Sequence, residues 1–382
     1  MTVYVVVLLS MLNSIGQRGS KVAVSLYALE LGAGALSVGV LAALFSVFPL
    51  LLAVQAGRLS DRFGVRMPIV LGALVMAAGL VIPLATSGIA WLFLCSSLIG
   101  LGHIFFHVSI HNLVGSLGGN GDVVRARTRN FATFALGSSL AAFFGPSLAG
   151  FAIDLAGFRP AFAALAISAA LPAAVVLLHR ALIPAHVTHE DEEQAKNAFD
   201  LLAIPALRRT LIMSGVTLTG IELFSFYLPI YGRSIGLSAS VIGMVLSTYA
   251  VAGFIVRSFM HRLAQRYTEV GVLTGSLFVA ALAYFAVPGL ADGVLLAAAA
   301  FALGLALGSA QPLTIILTYN HAPAGRSGEA LGMRIMANKV TQIAVPLAFG
   351  GFGAAMGAVP VFLATGVFLL AAGLISLKGG NG

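Results

Sequence analysis

Gly57-Arg58-Leu59-Ser60-Asp61-Arg62-Phe63-Gly64-Val65-Arg66 stands between two long apolar segments, an uncharged run from Leu31 to Ala56 and a second run that begins at Met67. A tight, basic, glycine-containing turn in that position reads as the loop of a transmembrane helical hairpin, with the loop on the cytoplasmic side. The rest of the chain agrees with a membrane setting. Its 382 residues are 59% hydrophobic and only 9% charged, with mean hydropathy +1.01. A soluble domain carries about 25% charged residues. Helices and closed barrels are the two ways to span a bilayer, and apolar runs of about 20 residues without alternation select helices.

Twelve spans can be drawn, at 3–30, 37–58, 67–86, 89–113, 130–153, 160–179, 207–231, 239–261, 269–288, 293–318, 329–353 and 359–377. The expected fold is therefore all-α, a polytopic membrane protein of twelve transmembrane helices. The start of the chain reads as the first helix, retained, because neither a basic leader nor a small-residue cleavage site precedes the apolar stretch. The connection 180–206 is the one long polar segment and carries Glu190-Asp191-Glu192-Glu193. It divides the chain into an N-terminal six-helix bundle at 1–180, a cytoplasmic linker at 181–206 and a C-terminal six-helix bundle at 207–382. Fourteen Lys and Arg residues fall in the even-numbered connections and the C-terminus, against Arg159 and Arg233 on the opposite side. The positive-inside rule then places both termini in the cytoplasm, in an inner or plasma membrane. The net charge of +8 reflects these loops, and no nucleic-acid partner is expected. A single cysteine, Cys95, excludes a disulfide framework and a multi-cysteine metal site.

The halves repeat. A shift of 204 residues places Tyr27 on Tyr231, Gly32 on Gly236, Gly39 on Gly243, Arg58-Leu59 on Arg262-Leu263, and Gly100-Leu101 on Gly304-Leu305. After a contraction of four residues, Pro146 meets Pro346 and Gly150 meets Gly350. The turn quoted above resembles the Gly-x-x-x-Asp-Arg-x-Gly-Arg/Lys loop between helices two and three of the major facilitator superfamily, with Gly57, Asp61, Arg62, Gly64 and Arg66 filling the pattern. That resemblance implies two pseudo-symmetric six-helix bundles and a solute site near the midplane between them. It also implies secondary transport by alternating access and a cytoplasmic gate at Gly57, Asp61, Arg62 and Arg66, in which the Asp61 carboxylate pairs with neighbouring guanidiniums and with the helix start at Ser327-Gly328. Arg257, near the cytoplasmic end of span eight, belongs to that gate or anchors a loop. Gly137 and Gly145-Pro146-Ser147-Leu148-Ala149-Gly150 are similar to the Gly-Pro signature of the family's antiporters, with Ala149 in place of a glycine. They also read simply as small residues for close helix approach and a proline bend. The arginine that antiporters often carry on helix four is absent, Ser96 standing in its place.

Charges inside the spans carry the chemistry. A charge at the bilayer centre costs about 2.5–3.5 kcal/mol on insertion scales, and span one holds two, Arg18 and Lys21. Helical spacing puts Ser14, Arg18, Lys21 and Ser25 in one stripe with Gln17 beside it. Such a stripe faces an anionic substrate or an ion-pair partner, and Glu222, the repeat image of Arg18, is the acidic residue that qualifies. Glu222, sharing a face with Thr219 and Ser225, is also the candidate proton carrier, with His103 beside it in that role. Span eleven sets Arg334, Asn338, Thr341 and Gln342 on one face, with Lys339 about 140° away, so Arg334 and Lys339 cannot both point at one ligand. Lys339 is read as the deeper of the two.

His103, His107 and His111 form an i, i+4, i+8 ladder on span four that suits proton or substrate contact, interhelical hydrogen bonding or, as a rival, a metal. Gln311 is the repeat image of His107. The substrate-binding set is Gln17, Arg18, Lys21, His107, Gln311, Arg334, Asn338 and Lys339. The absence of a Walker loop, a zinc-protease helix and a Ser-His-Asp order argues against an ATP-driven pump and against an enzyme. The expected function is proton-coupled or exchange transport of a small organic anion, leaning to export. Efflux of amphipathic drugs and export of divalent metals are the rivals. Partners are the anionic solute, protons and membrane lipid; no cofactor or resident metal is expected, and the chain acts as a monomer.

Overall fold

A computed structural model describes residues 2–117, 123–179, 198–323 and 326–379. The apolar runs form twelve long helices in the described chain: α1 (Thr2–Glu30), α2 (Ala35–Phe63), α3 (Arg66–Ala85), α4 (Ile89–Ser116), α5 (Val123–Ala156), α6 (Phe158–Leu178), α7 (Pro205–Ser234), α8 (Ala239–Tyr267), α9 (Glu269–Ala286), α10 (Gly293–His321), α11 (Ser327–Met356) and α12 (Ala358–Gly379). The drawn spans map onto them one to one. α2, α5 and α8 run five to seven residues beyond their drawn ends. Hydropathy stops a span at the first charges, whereas the backbone keeps its helical hydrogen bonds through Arg-rich turns. Ten of the twelve are long and apolar enough to cross a membrane. α1 and α11 fall outside that set because their polar stripes dilute their hydropathy.

Of the expected linker, 181–197 lies outside the described residues, and Ala198–Ala203 forms a short 3-10 helix. By packing, the described chain falls into two units. The first holds residues of 2–33, 40–179 and Ser238–Ser247; the second holds Gly34–Gly39 and residues of 198–237 and 248–379. Within the first, α1 packs on α5 and α6, and α3 on α4 and α6. Within the second, α7 packs on α11, and α9 on α10 and α12. This is the internal repeat expressed as packing.

Lipid chains are as apolar as leucine, so close backbone approach must hold such helices together. A Cβ added to Gly102 would meet Met76 N at 2.5 Å, and one added to Gly72 would meet Gly102 O at 2.6 Å. The glycines of the repeat do the same across the exchanged segments. In the first unit a Cβ at Gly243 would lie 2.5 Å from Pro146 O, and Gly150 abuts Ala239. In the second unit Gly39 abuts Pro346, and its added Cβ would lie 3.3 Å from the Gly350 Cα. The contact of Gly39 with Pro346 is thus the repeat image of the contact of Gly243 with Pro146.

Two ends are fixed by side chains. Asp292 caps α10, accepting from Val294 N at 2.8 Å and Leu295 N at 3.1 Å. Asp154, on α5, accepts from Ala239 N at 3.0 Å and Ser240 N at 2.7 Å at the start of α8.

Candidate functional site

In the first unit Asn13 of α1 meets α4. Asn13 is fully buried, and its Oδ1 lies 3.4 Å from His103 Nδ1. Gln17 and Lys21 are half-buried and Arg18 is exposed. Directly behind Arg18 the helices touch: a Cβ on Gly145 of α5 would lie 2.9 Å from Arg18 Cβ and 3.0 Å from Gly19 N. The Gly-Pro segment thus sets the depth of the stripe, and its small residues are needed for approach, as their structural reading expects.

The histidines of α4 stack on one another, with ring centroids 5.0 Å apart for His103 and His107 and 4.1 Å for His107 and His111. His111 Nδ1 donates to the His107 carbonyl at 2.8 Å, which fixes its tautomer, and its ring meets Phe134 edge-on at 4.6 Å. Among the described residues no group of three metal-ligating side chains converges, so the ladder has the form of a hydrogen-bonded stack.

In the second unit the centre is Arg334, 5% exposed. Its Nη2 donates to Gln311 Oε1 at 2.7 Å, to Thr314 Oγ1 at 3.0 Å and to the Gln311 carbonyl at 3.2 Å. All three acceptors are neutral, and among the described residues no carboxylate pairs with this guanidinium. Arg334 Nε and Gln311 Nε2 are buried donors without an acceptor.

Lys339 follows a different course, donating to Gln342 Oε1 at 3.0 Å along its own helix. Arg334 and Lys339 are thus engaged separately, as their helical spacing requires, and of the two Arg334 is the less exposed to solvent. Asn338 Oδ1 accepts from Ser214 at 3.1 Å, tying α11 to α7. On α7 the hydroxyls of Thr219 and Ser225 donate to the carbonyls of Gly215 and Ile221, so they are committed to their own helix on either side of the half-buried Glu222.

Of the expected gate, Gly57 lies within α2 in open space, Gly64 turns the chain with φ +79, and Arg66 starts α3. The side chains of Asp61, Arg62 and Ser327 lie outside the described residues. Arg257 donates through Nε to Gly308 O at 3.0 Å. That carbonyl is the one whose helical donor is missing, since Pro312 four residues on has no N–H.

Three participants escaped the reading of the sequence. Asn13 sits one turn before Gln17, and Thr314 sits one turn after Gln311; extending each polar stripe by a turn would have found both. Asp200 belongs to no such pattern. Its carboxylate takes two hydrogen bonds from Arg326, at 2.7 and 2.9 Å, and these hold its pKa below the ordinary carboxylate value.

The sequence profile of the Major Facilitator Superfamily matches residues 6–238 and 210–378. Solved structures share the fold. The nucleoside transporter NupG superposes with TM-score 0.83 at 15% identity, covering 99% of each chain. A peptide transporter of the POT type gives 0.81 at 19% identity, covering 98% of this chain and 93% of that one. A POT family transporter in complex with 5-aminolevulinic acid gives 0.81 at 14% identity, covering 98% and 95%. No curated protein is similar in sequence at a significant level.

Proposed function

The chain belongs to the major facilitator superfamily, and we propose that, as a secondary transporter of that family, it moves a small organic anion bearing a carboxylate or a phosphate. The observation that carries this reading is the cluster around Arg334. Burying a guanidinium without a counter-charge costs several kcal/mol, and each unsatisfied buried donor adds about 1–3 kcal/mol. Arg334 Nε and Gln311 Nε2 are two such donors in one cluster. An anion supplies both the missing charge and the missing acceptors, whereas a cationic drug supplies neither. Arginine suits the role because its fork matches carboxylate and phosphate oxygens.

Arg18 and Lys21, with Gln17 and His107, form the second cationic surface that attracts the solute, and Lys339 and Asn338 complete the polar lining of α11. Glu222, with His103, carries the coupling proton. The likeness of Gly145–Gly150 to the antiporter signature favours export. The bias of fourteen basic residues in the even-numbered connections and the C-terminus against two in the odd-numbered ones supports cytoplasmic termini.

The test is thermal stabilisation of the purified protein by a panel of small anions, cations and amphipathic drugs, because a ligand that binds the folded state raises its melting temperature. Carboxylates or phosphate esters should stabilise the wild type and lose that effect in Arg334→Gln and in Arg18→Ala. Stabilisation by lipophilic cations alone would overturn the anion reading in favour of drug efflux.

A further inference from the structure

A cavity of about 260 Å³ opens in the second unit among the ends of α7, α9, α10 and α12, away from the Arg334 cluster's residues. Six of its ten lining residues are apolar, among them Leu273 of α9 and Ile375 of α12. The polar ones gather as Arg209, Thr210, His321 and Ser376. We propose that this cavity binds an anionic membrane phospholipid, with the phosphodiester on Arg209, a headgroup hydroxyl on His321 and the first acyl carbons on Leu273 and Ile375.

The donors are arranged for that headgroup. Arg209 is exposed, and among the described residues it has no ion-pair or hydrogen-bond partner, so its five N–H groups are available to phosphate oxygens. Thr210 has one hydroxyl proton, which goes to the Ala206 carbonyl at 3.0 Å. Its 2.9 Å contact with His321 Nδ1 therefore has the ring N–H as donor. That leaves Nε2 as the ring's remaining polar atom, to accept from a headgroup hydroxyl. Ser376 is braced by Thr274 at 2.7 Å.

The surroundings select an anion. Arg262 and Arg266 lie at the same end of this unit, where the acidic groups among the described side chains are Glu269 and Asp200, the latter paired with Arg326. The apolar walls select a lipid over a free phosphate. α9 and α12 are both long and apolar enough to span a membrane, and a basic pocket between such helices beside an apolar wall is the chemistry that holds anionic headgroups.

Native mass spectrometry of the full-length protein tests this, with phosphatidylglycerol, phosphatidylcholine and inorganic phosphate as probes. Phosphatidylglycerol should be retained about fivefold better than phosphatidylcholine, the ratio equivalent to the ~1 kcal/mol that one basic residue contributes. Arg209→Ala should abolish that preference, and Ser376→Phe, which fills the cavity without changing charge, should abolish it too. Arg208→Ala, next in sequence but outside the lining, should keep it, and millimolar inorganic phosphate should not displace the lipid. Equal retention of the two lipids by the wild type, equal loss in Arg208→Ala and Arg209→Ala, or retention of the preference in Ser376→Phe would overturn the site. Displacement by phosphate would overturn the lipid as its occupant.

Discussion

Arg257 and Pro312 show what a single pair of residues does in this fold. A proline inside a membrane helix leaves the carbonyl four residues earlier without its donor, and in hydrocarbon such a group must be satisfied by protein. Arg257 does this for Gly308. The two should therefore be coupled. Arg257→Ala should lower the melting temperature of the wild type, while the same substitution in Pro312→Ala should lower it much less, because the restored N–H occupies the carbonyl. A double-mutant cycle of melting temperatures checks this, and additivity would refute it. Asp200 offers a second test at this scale. Its hydrogen bonds from Arg326 hold its pKa below the ordinary value, so its contribution is present above the ordinary carboxylate range and is lost as pH falls through the lowered pKa. Hydrogen-exchange protection of 198–207, corrected for intrinsic rates, should hold down to about pH 4 and fall below it. In Arg326→Gln the protection should be reduced already at neutral pH. Neither pairing was legible beforehand. Arg257 stands five residues before Arg262, which suggests a gate, and nothing in the spacing links it to a carbonyl on α10.

Among the elements, α5 and α8 are joined by a cap that comes from another helix. The first turn of α8 leaves its amides without helical acceptors, and Asp154 of α5 takes two of them. Its negative charge also lies at the positive end of the α8 dipole. Replacing a cap of this kind costs about 1 kcal/mol. Asp154→Ala should therefore lower the melting temperature, and Asp154→Asn, which keeps one acceptor and loses the charge, should lower it less. Equal effects would show that a single neutral acceptor does not sustain the cap. The Gly145 approach to Arg18 belongs to the same scale. The small residues of α5 were legible as a packing motif, but their partner was not, since a glycine pattern records that something comes close without recording what. Ser147 and Ser247 illustrate the point: their hydroxyls meet at 2.7 Å although nothing in their sequence contexts pairs them.

For the whole molecule the decisive test is of coupling. Glu222→Gln removes the titrating group while keeping its shape. Binding and solute exchange in proteoliposomes should persist in that variant, and accumulation driven by a pH gradient should disappear. Normal accumulation would remove Glu222 from the coupling role. A transporter needs both a site and a way to change the side from which it is reached, and the internal repeat supplies two units of like design. The repeated packing of α1 on α5 and of α7 on α11 gives each unit a pair of helices that carries its polar residues.

Helix number, the position of each span, the repeat and the family followed from the chain alone. Hydropathy over some 20 residues is a local property, and a bilayer admits so few architectures that it constrains the fold. Recurrent glycines and basic loops are local as well, which is why Gly39, Gly243, Pro146 and Pro346 could be matched before their contacts were seen. What only the tertiary structure decided was the state of each polar group. Sequence places Arg334, Gln311 and Thr314 on helical faces, but whether a donor is satisfied depends on atoms brought in from another helix. Arg334 is buried among neutral acceptors and Lys339 turns along its own helix; the depth of a side chain is set by the helix packed against it, and no spacing along one chain encodes that.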